Sequence, residues 1–191
     1  MTRTYAMGNR AAQASQTRDR ITVATELLLS SVPLTNITLQ AIAERAGVTV
    51  QTVLRHMGSR DGCFTAVGER VAGRVHAQLG DTEPGNVSNA ISDLMAHYEA
   101  EGPLVLNLLA QENGEDPLAS EAVQTGRAYH RAWVERCFEP KLANPDQTTI
   151  DALVATTDIY VWKLLRKDLR RSADDTKAVV IHMTQSLLEA P

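Results

Sequence analysis

Gln51, Thr52 and Arg55 fall within five residues, and on a helix they share the face opposite Val50, Val53 and Met57. Short or planar hydrogen-bonding side chains on a free helix face are suited to reading base edges in the major groove. Thr38, Thr49, His56 and Arg60 flank them with hydroxyl, imidazole and guanidinium groups that fit phosphate oxygens. Arg55, bidentate to a guanine, is the first candidate for a base contact, with a solvated arginine or a phosphate contact as its alternatives. Capping alone would account for the two threonines, and a helix-end dipole for His56. No Gly-rich phosphate loop, GxSxG turn, HExxH or Cys/His metal spacing occurs in the chain. No catalytic site, metal or cofactor is therefore expected.

The elements that must hold these residues lie between Thr38 and Phe64, TLQAIAERAGVTVQTVLRHMGSRDGCF. Leu39, Ile42, Ala43 and Ala46 keep helical spacing before Gly47, and Val50, Val53 and Met57 keep it afterwards. Thr38, Thr49 and Ser59 each stand where a hydroxyl can cap the next helix, and Gly47 can take the positive φ of a sharp turn. The pattern predicts helix, turn, helix, with Ala43 small enough for a close crossing.

This run resembles the DNA-binding segment of the TetR (tetracycline repressor) family, over about 60 residues, with the rest similar only in length and helical character. The resemblance implies an all-α protein of about nine helices, with a three-helix DNA-binding domain followed by a helical effector-binding and dimerisation domain. It also implies a phosphate contact by His56 and a basic residue, here Arg60, opening the next helix, where the helix dipole and the positive side chain can together hold a phosphate. Leu54 stands where the family commonly has a phosphate-contacting Tyr, and Met57 where it commonly has Phe. The first departure removes a hydroxyl, and the second exchanges one core filler for another.

Composition supports packed helices: 43% of the 191 residues are hydrophobic but only 4% aromatic. The formal net charge of -4 argues against a nucleic-acid partner, but its distribution does not. Residues 1–80 hold nine Arg against five acids, whereas residues 81–191 hold ten bases against eighteen acids. A basic front on an acidic body suits a protein that grips DNA with one end. No apolar run is long enough to span a bilayer and no secretory signal is visible, so a cytoplasmic protein without membrane contact is expected. Cys63 and Cys137 read as reduced, buried thiols.

Met1 to Thr17 reads as a mobile arm, either a solvated tail or a minor-groove arm with Arg3 and Arg10. A first helix is expected from about Arg18 to Ser30 with Ile21, Ala24, Leu27 and Leu28 inward. A linking helix runs from Ser59 to about Leu79, and the turn-rich Gly80 to Asn86 divides residues 1–80 from 81–191. Beyond it five helices are expected, the first ending near Gly102-Pro103 and the third running from about Leu118 to Phe138, with Pro140 and Pro145 bracketing its exit. That third helix should bury Ala122, Val123, Gly126, Tyr129, Trp133 and Cys137.

Met95, Tyr98, Tyr129, His130 and Trp133, with His97, are candidates to line an effector pocket, although aromatics at helical spacing are commonly plain core. The segments Thr148 to Asp168 and Thr176 to Leu188 are apolar on two faces, which calls for two covers. The second cover is most simply another copy, with Ile159, Trp162, Met183 and Leu187 at a four-helix homodimer interface. The reading is thus a dimeric regulator that binds a near-palindrome in double-stranded DNA and responds to a small-molecule effector as a repressor. An effector-independent helix-turn-helix protein is the alternative, and a helical ligand-binding protein or enzyme a more distant one.

Overall fold

A computed structural model describes residues 2–142 and 146–189, with the backbone alone for residues 2–11. Eight α-helices of eight residues or more are present among the described residues, with no strand: α1 (Thr2–Leu29), α2 (Leu39–Ala46), α3 (Val50–Met57), α4 (Arg60–Leu79), α5 (Val87–Leu109), α6 (Pro117–Phe138), α7 (Gln147–Thr156) and α8 (Ala173–Leu188). The fold is all-α as expected, with eight such helices where about nine were expected. The chain divides into two compact units. One comprises residues up to Gly73 with Pro103–Ala119, and the other Arg74–Gly102 with the residues from Ser120 on.

Helix α1 begins at Thr2, not near Arg18, so the stretch expected as an arm is helical. Alanines at positions 6, 11, 12 and 14 supply the helix propensity that a search for an apolar stripe overlooks. The side chains of Arg3 and Arg10 lie outside the described residues, as does Pro145. In the first unit Ile21, Ala24 and Leu29 of α1 meet Ile42, Ala43, Val53, Met57, Phe64 and Val67 in one core. Leu27, expected inside, is 47% exposed, and Leu29 takes its place.

Helix α5 does not stop at Gly102-Pro103 but runs through it. Proline disfavours helical backbone in the residue before it partly through a clash with that residue's Cβ, and Gly102 has none. A Cβ on Gly102 would also lie 2.5 Å from the Trp162 ring. The segment Thr148 to Asp168 breaks instead at Thr157 and Asp158, whose carboxylate accepts from Tyr160 N and starts a five-residue helical piece, Ile159–Lys163. That piece continues as a π-helical turn, Leu164–Asp168. In the second unit Ile91, Leu94, Met95, Tyr98, Trp133, Val134, Phe138, Leu153, Trp162 and Val180 are buried.

Candidate functional site

All three expected caps are present. Thr38 accepts from Ala41 N at 3.1 Å, Thr49 from Thr52 N at 3.2 Å, and Ser59 from Gly62 N at 3.0 Å. Gly47 closes α2 in the left-handed region with φ of 65°, where an L side chain is strained. Helix α3 then turns Val53 and Met57 into the core and leaves Gln51 and Arg55 exposed, with Thr52 and His56 half-buried beside them. The Thr52 hydroxyl lies 2.9 Å from that of Thr49.

Two arginines of α1 fix the ends of these helices. Arg18 Nη1 donates to the His56 carbonyl at 3.0 Å, and Arg20 Nη2 donates to the Ala46 and Gly47 carbonyls. Cations on C-terminal carbonyls satisfy acceptors the helix leaves open and oppose its dipole. Neither was singled out from the sequence, because their partners lie 38 and 26 residues away. Arg60 is differently disposed from Arg55. Its Nε donates to Ile37 O at 2.7 Å and its Nη2 to Leu34 O at 2.6 Å and Asp116 Oδ2 at 3.0 Å, with the guanidinium 4.5 Å from the Phe64 ring centroid.

In the second unit, Met95, Tyr98 and Trp133 are buried, His130 is half-buried, and Tyr129 is 38% exposed on the outer side of α6. Ala122 and Gly126 are exposed with it, while Val123 and Cys137 are buried as expected. His97 and Tyr98 rings lie 5.5 Å apart, and those of Tyr98 and Trp162 6.1 Å. His130 stacks near Trp133 at 6.3 Å. Thr157 joins the two groups, since Tyr98 Oη donates to its carbonyl at 2.9 Å and His130 Nε2 lies 3.0 Å from its hydroxyl. That hydroxyl donates to Leu153 O at 2.8 Å, so the His130 Nε2 carries the proton and donates to it. Burial lowers the pKa of both His97 and His130, with Glu101 opposing this at His97 and Asp158 at His130. The buried Trp133 indole N-H has no hydrogen-bond partner among the described residues.

The bacterial regulatory proteins of the tetR family supply a sequence pattern that matches residues 21–67. This segment is of the tetR family. Solved structures of the same fold include a transcriptional regulator from Rhodococcus sp. Rha1, 16% identical over 90% of this chain and 96% of that one, with a TM-score of 0.69. A TetR transcriptional regulator from Streptococcus agalactiae is 17% identical over 94% and 98%, with a TM-score of 0.62. The multidrug binding protein EbrR, solved with imidazole, is 19% identical over 92% of each chain, with a TM-score of 0.57. No curated protein matches the sequence.

Within the tetR segment, both departures are now located: Leu54 is half-buried and Met57 is core. The interface candidates divide. Ile159 and Trp162 are buried inside the second unit, Trp162 at 1% exposure with its Nε1 donating to Glu99 at 2.9 Å, while Met183 and Leu187 are half-buried. Tyr160, Leu164, Leu169 and Val179 are exposed, and Leu164, Val179 and Met183 help line an apolar groove of about 300 Å³. Cys63 and Cys137 are both buried and unpaired, and burial raises each thiol's pKa. No helix among the described residues is long and apolar enough to cross a membrane.

Proposed function

We propose that this protein is a dimeric, sequence-specific DNA-binding regulator that represses transcription until a small molecule releases it. The observation that carries the reading is the face of α3. Gln51 and Arg55 stand exposed one turn apart on a helix whose other face is sealed into a core and whose C-terminal carbonyl is held by Arg18. Arg55 reads a guanine, Gln51 and Thr52 contact neighbouring base edges, and Thr38, Thr49 and His56 contact phosphates. Residues 1–80 form the DNA-binding part, with the 59–79 helix as its link, and residues 81–191 the effector-binding and dimerisation part.

The effector lies against the Tyr98, His130 and Trp133 rings with Met95, where the unpartnered Trp133 N-H offers a hydrogen bond to an acceptor on the ligand. A neighbour of the same fold is described as a multidrug binding protein complexed with imidazole, which is in keeping with a small-molecule effector. The second copy covers the apolar groove beside Leu164 and Val179. Two recognition helices related by a two-fold axis then meet successive major grooves about 34 Å apart, which requires a near-palindromic operator. Effector binding tilts α4 and changes that spacing, and it acts only through a difference in affinity for the two arrangements.

Selection of bound duplexes from a random pool by the purified protein tests this reading. Enrichment of a near-palindrome is the expected result. A folded dimer that enriches no sequence would remove the regulator reading and turn attention to ligands of the second unit. An operator whose occupancy no ligand changes would favour the effector-independent form.

A further inference from the structure

The connection between α1 and α2 contains a single 3-10 turn, Leu34–Asn36, and several of its backbone groups are satisfied by side chains from outside it. Arg60 takes the Leu34 and Ile37 carbonyls, at 2.6 and 2.7 Å. Asn107 Nδ2 donates to the Leu29 and Val32 carbonyls, each at 2.8 Å, and Gln111 Oε1 accepts from Leu34 N at 2.8 Å. Asp116 closes the set on the Arg60 Nη2 at 3.0 Å, while its other oxygen accepts from Leu118 N. Leu34 and Ile37 are fully buried, and Thr38, the cap of α2, follows directly. The start of the helix-turn-helix is therefore set by a planar fork that bridges two carbonyls and one carboxylate.

We propose that Arg60 and Asp116 are positioning residues for DNA binding, which set the placement of α2 and through it α3, and that Arg60 is not a phosphate contact. The proposal rests on the DNA-binding reading above. Two of the three guanidinium nitrogens point inward to these acceptors, and the third, Nη1, lies 3.9 Å from Asp61 Oδ1. The two roles differ in chemistry. A phosphate is served by any positive charge, including the point charge of a lysine, whereas the fork to Leu34, Ile37 and Asp116 requires a guanidinium. They differ in sign at Asp116 as well. If electrostatics alone governed binding, removing an acid from the compact unit that carries α2 and α3 would strengthen it, whereas loss of a positioning contact weakens it.

The test is duplex affinity of the full chain for its selected operator, measured from about 50 to 200 mM salt for wild type, Arg60→Lys, Asp116→Asn and Asp116→Ala. Each is assayed at a temperature where circular dichroism shows it fully folded. Arg60→Lys should bind about tenfold more weakly with the wild-type salt slope, because no phosphate contact is lost. Asp116→Asn and Asp116→Ala should also weaken binding, and Arg60→Lys combined with Asp116→Ala should be no weaker than the worse single variant. Wild-type affinity in Arg60→Lys, or tighter binding in Asp116→Asn, overturns the proposal. If Arg60→Lys does not fold, Asp116→Asn carries the test, because the amide keeps an acceptor for Leu118 N. A wild-type chain that binds no duplex removes the DNA-binding reading and the positioning role with it. Binding by wild type together with tighter binding by Asp116→Asn removes only the positioning role.

Discussion

Arg55 is the exposed arginine of α3, and its Nη2 lies 3.5 Å from the His56 Nε2. Its guanidinium is available to a base edge in a way that those of Arg18, Arg20 and Arg60 are not, since each of these already donates to backbone carbonyls. Arg55→Ala should therefore cost about 1 to 3 kcal/mol of operator affinity and relax preference at one base pair per half-site. Equal loss on every sequence in a competition assay would demote it to a phosphate contact. The histidines of the second unit give a pH prediction. His97 and His130 both have a folded pKa lowered by burial, so between the ordinary value of about 6.5 and the lowered one the unfolded chain binds more protons than the folded one. Their contribution is fully present above about 6.5, and stability falls as pH drops below it. Urea titrations from pH 7.5 to about 5 should show this loss, and His130→Gln should flatten it; an unchanged profile in that variant would mean that His130 does not contribute.

At the scale of elements, α5 is the instructive case because two helix-ending signals, glycine and proline, stand side by side within it. The helix persists since Gly102 removes the Cβ that proline would clash with, and that missing Cβ also makes room for the Trp162 ring. Gly102→Ala should destabilise the protein by about 1 to 3 kcal/mol through overpacking against the indole, measured as a lower urea midpoint. An unchanged midpoint would show that the ring moves aside freely. The helix-turn-helix needed no such help from outside to be read. Its three caps and its left-handed glycine bond to groups within a few residues, so their spacing alone locates α2, α3 and the start of α4. The start of α1 and the end of α5 differ from the sequence expectation for opposite reasons: alanine propensity without a stripe in one, and a breaker neutralised by its neighbour in the other.

For the whole molecule, the proposed dimer is tested at the groove beside Leu164, Val179 and Met183. Trp162 was expected at the interface, but its substitution would disrupt the core of the second unit and could not separate dimer loss from unfolding. Val179 is 38% exposed, so Val179→Asp can change the surface while sparing the core. It should give a folded monomer by sedimentation that occupies an isolated half-site poorly. A dimer of unchanged affinity would move the interface elsewhere. Local chemistry determined from the sequence alone the helical class, the helix-turn-helix and the faces of α3, because caps, turns and periodic faces depend on residues three or four apart. The tertiary structure alone decided that Arg18, Arg20 and Arg60 hold backbone carbonyls, and which aromatics are buried. Those outcomes depend on partners 23 to 63 residues away in the chain, such as Ile37 for Arg60 and Glu99 for Trp162, and no periodicity encodes a contact at that range.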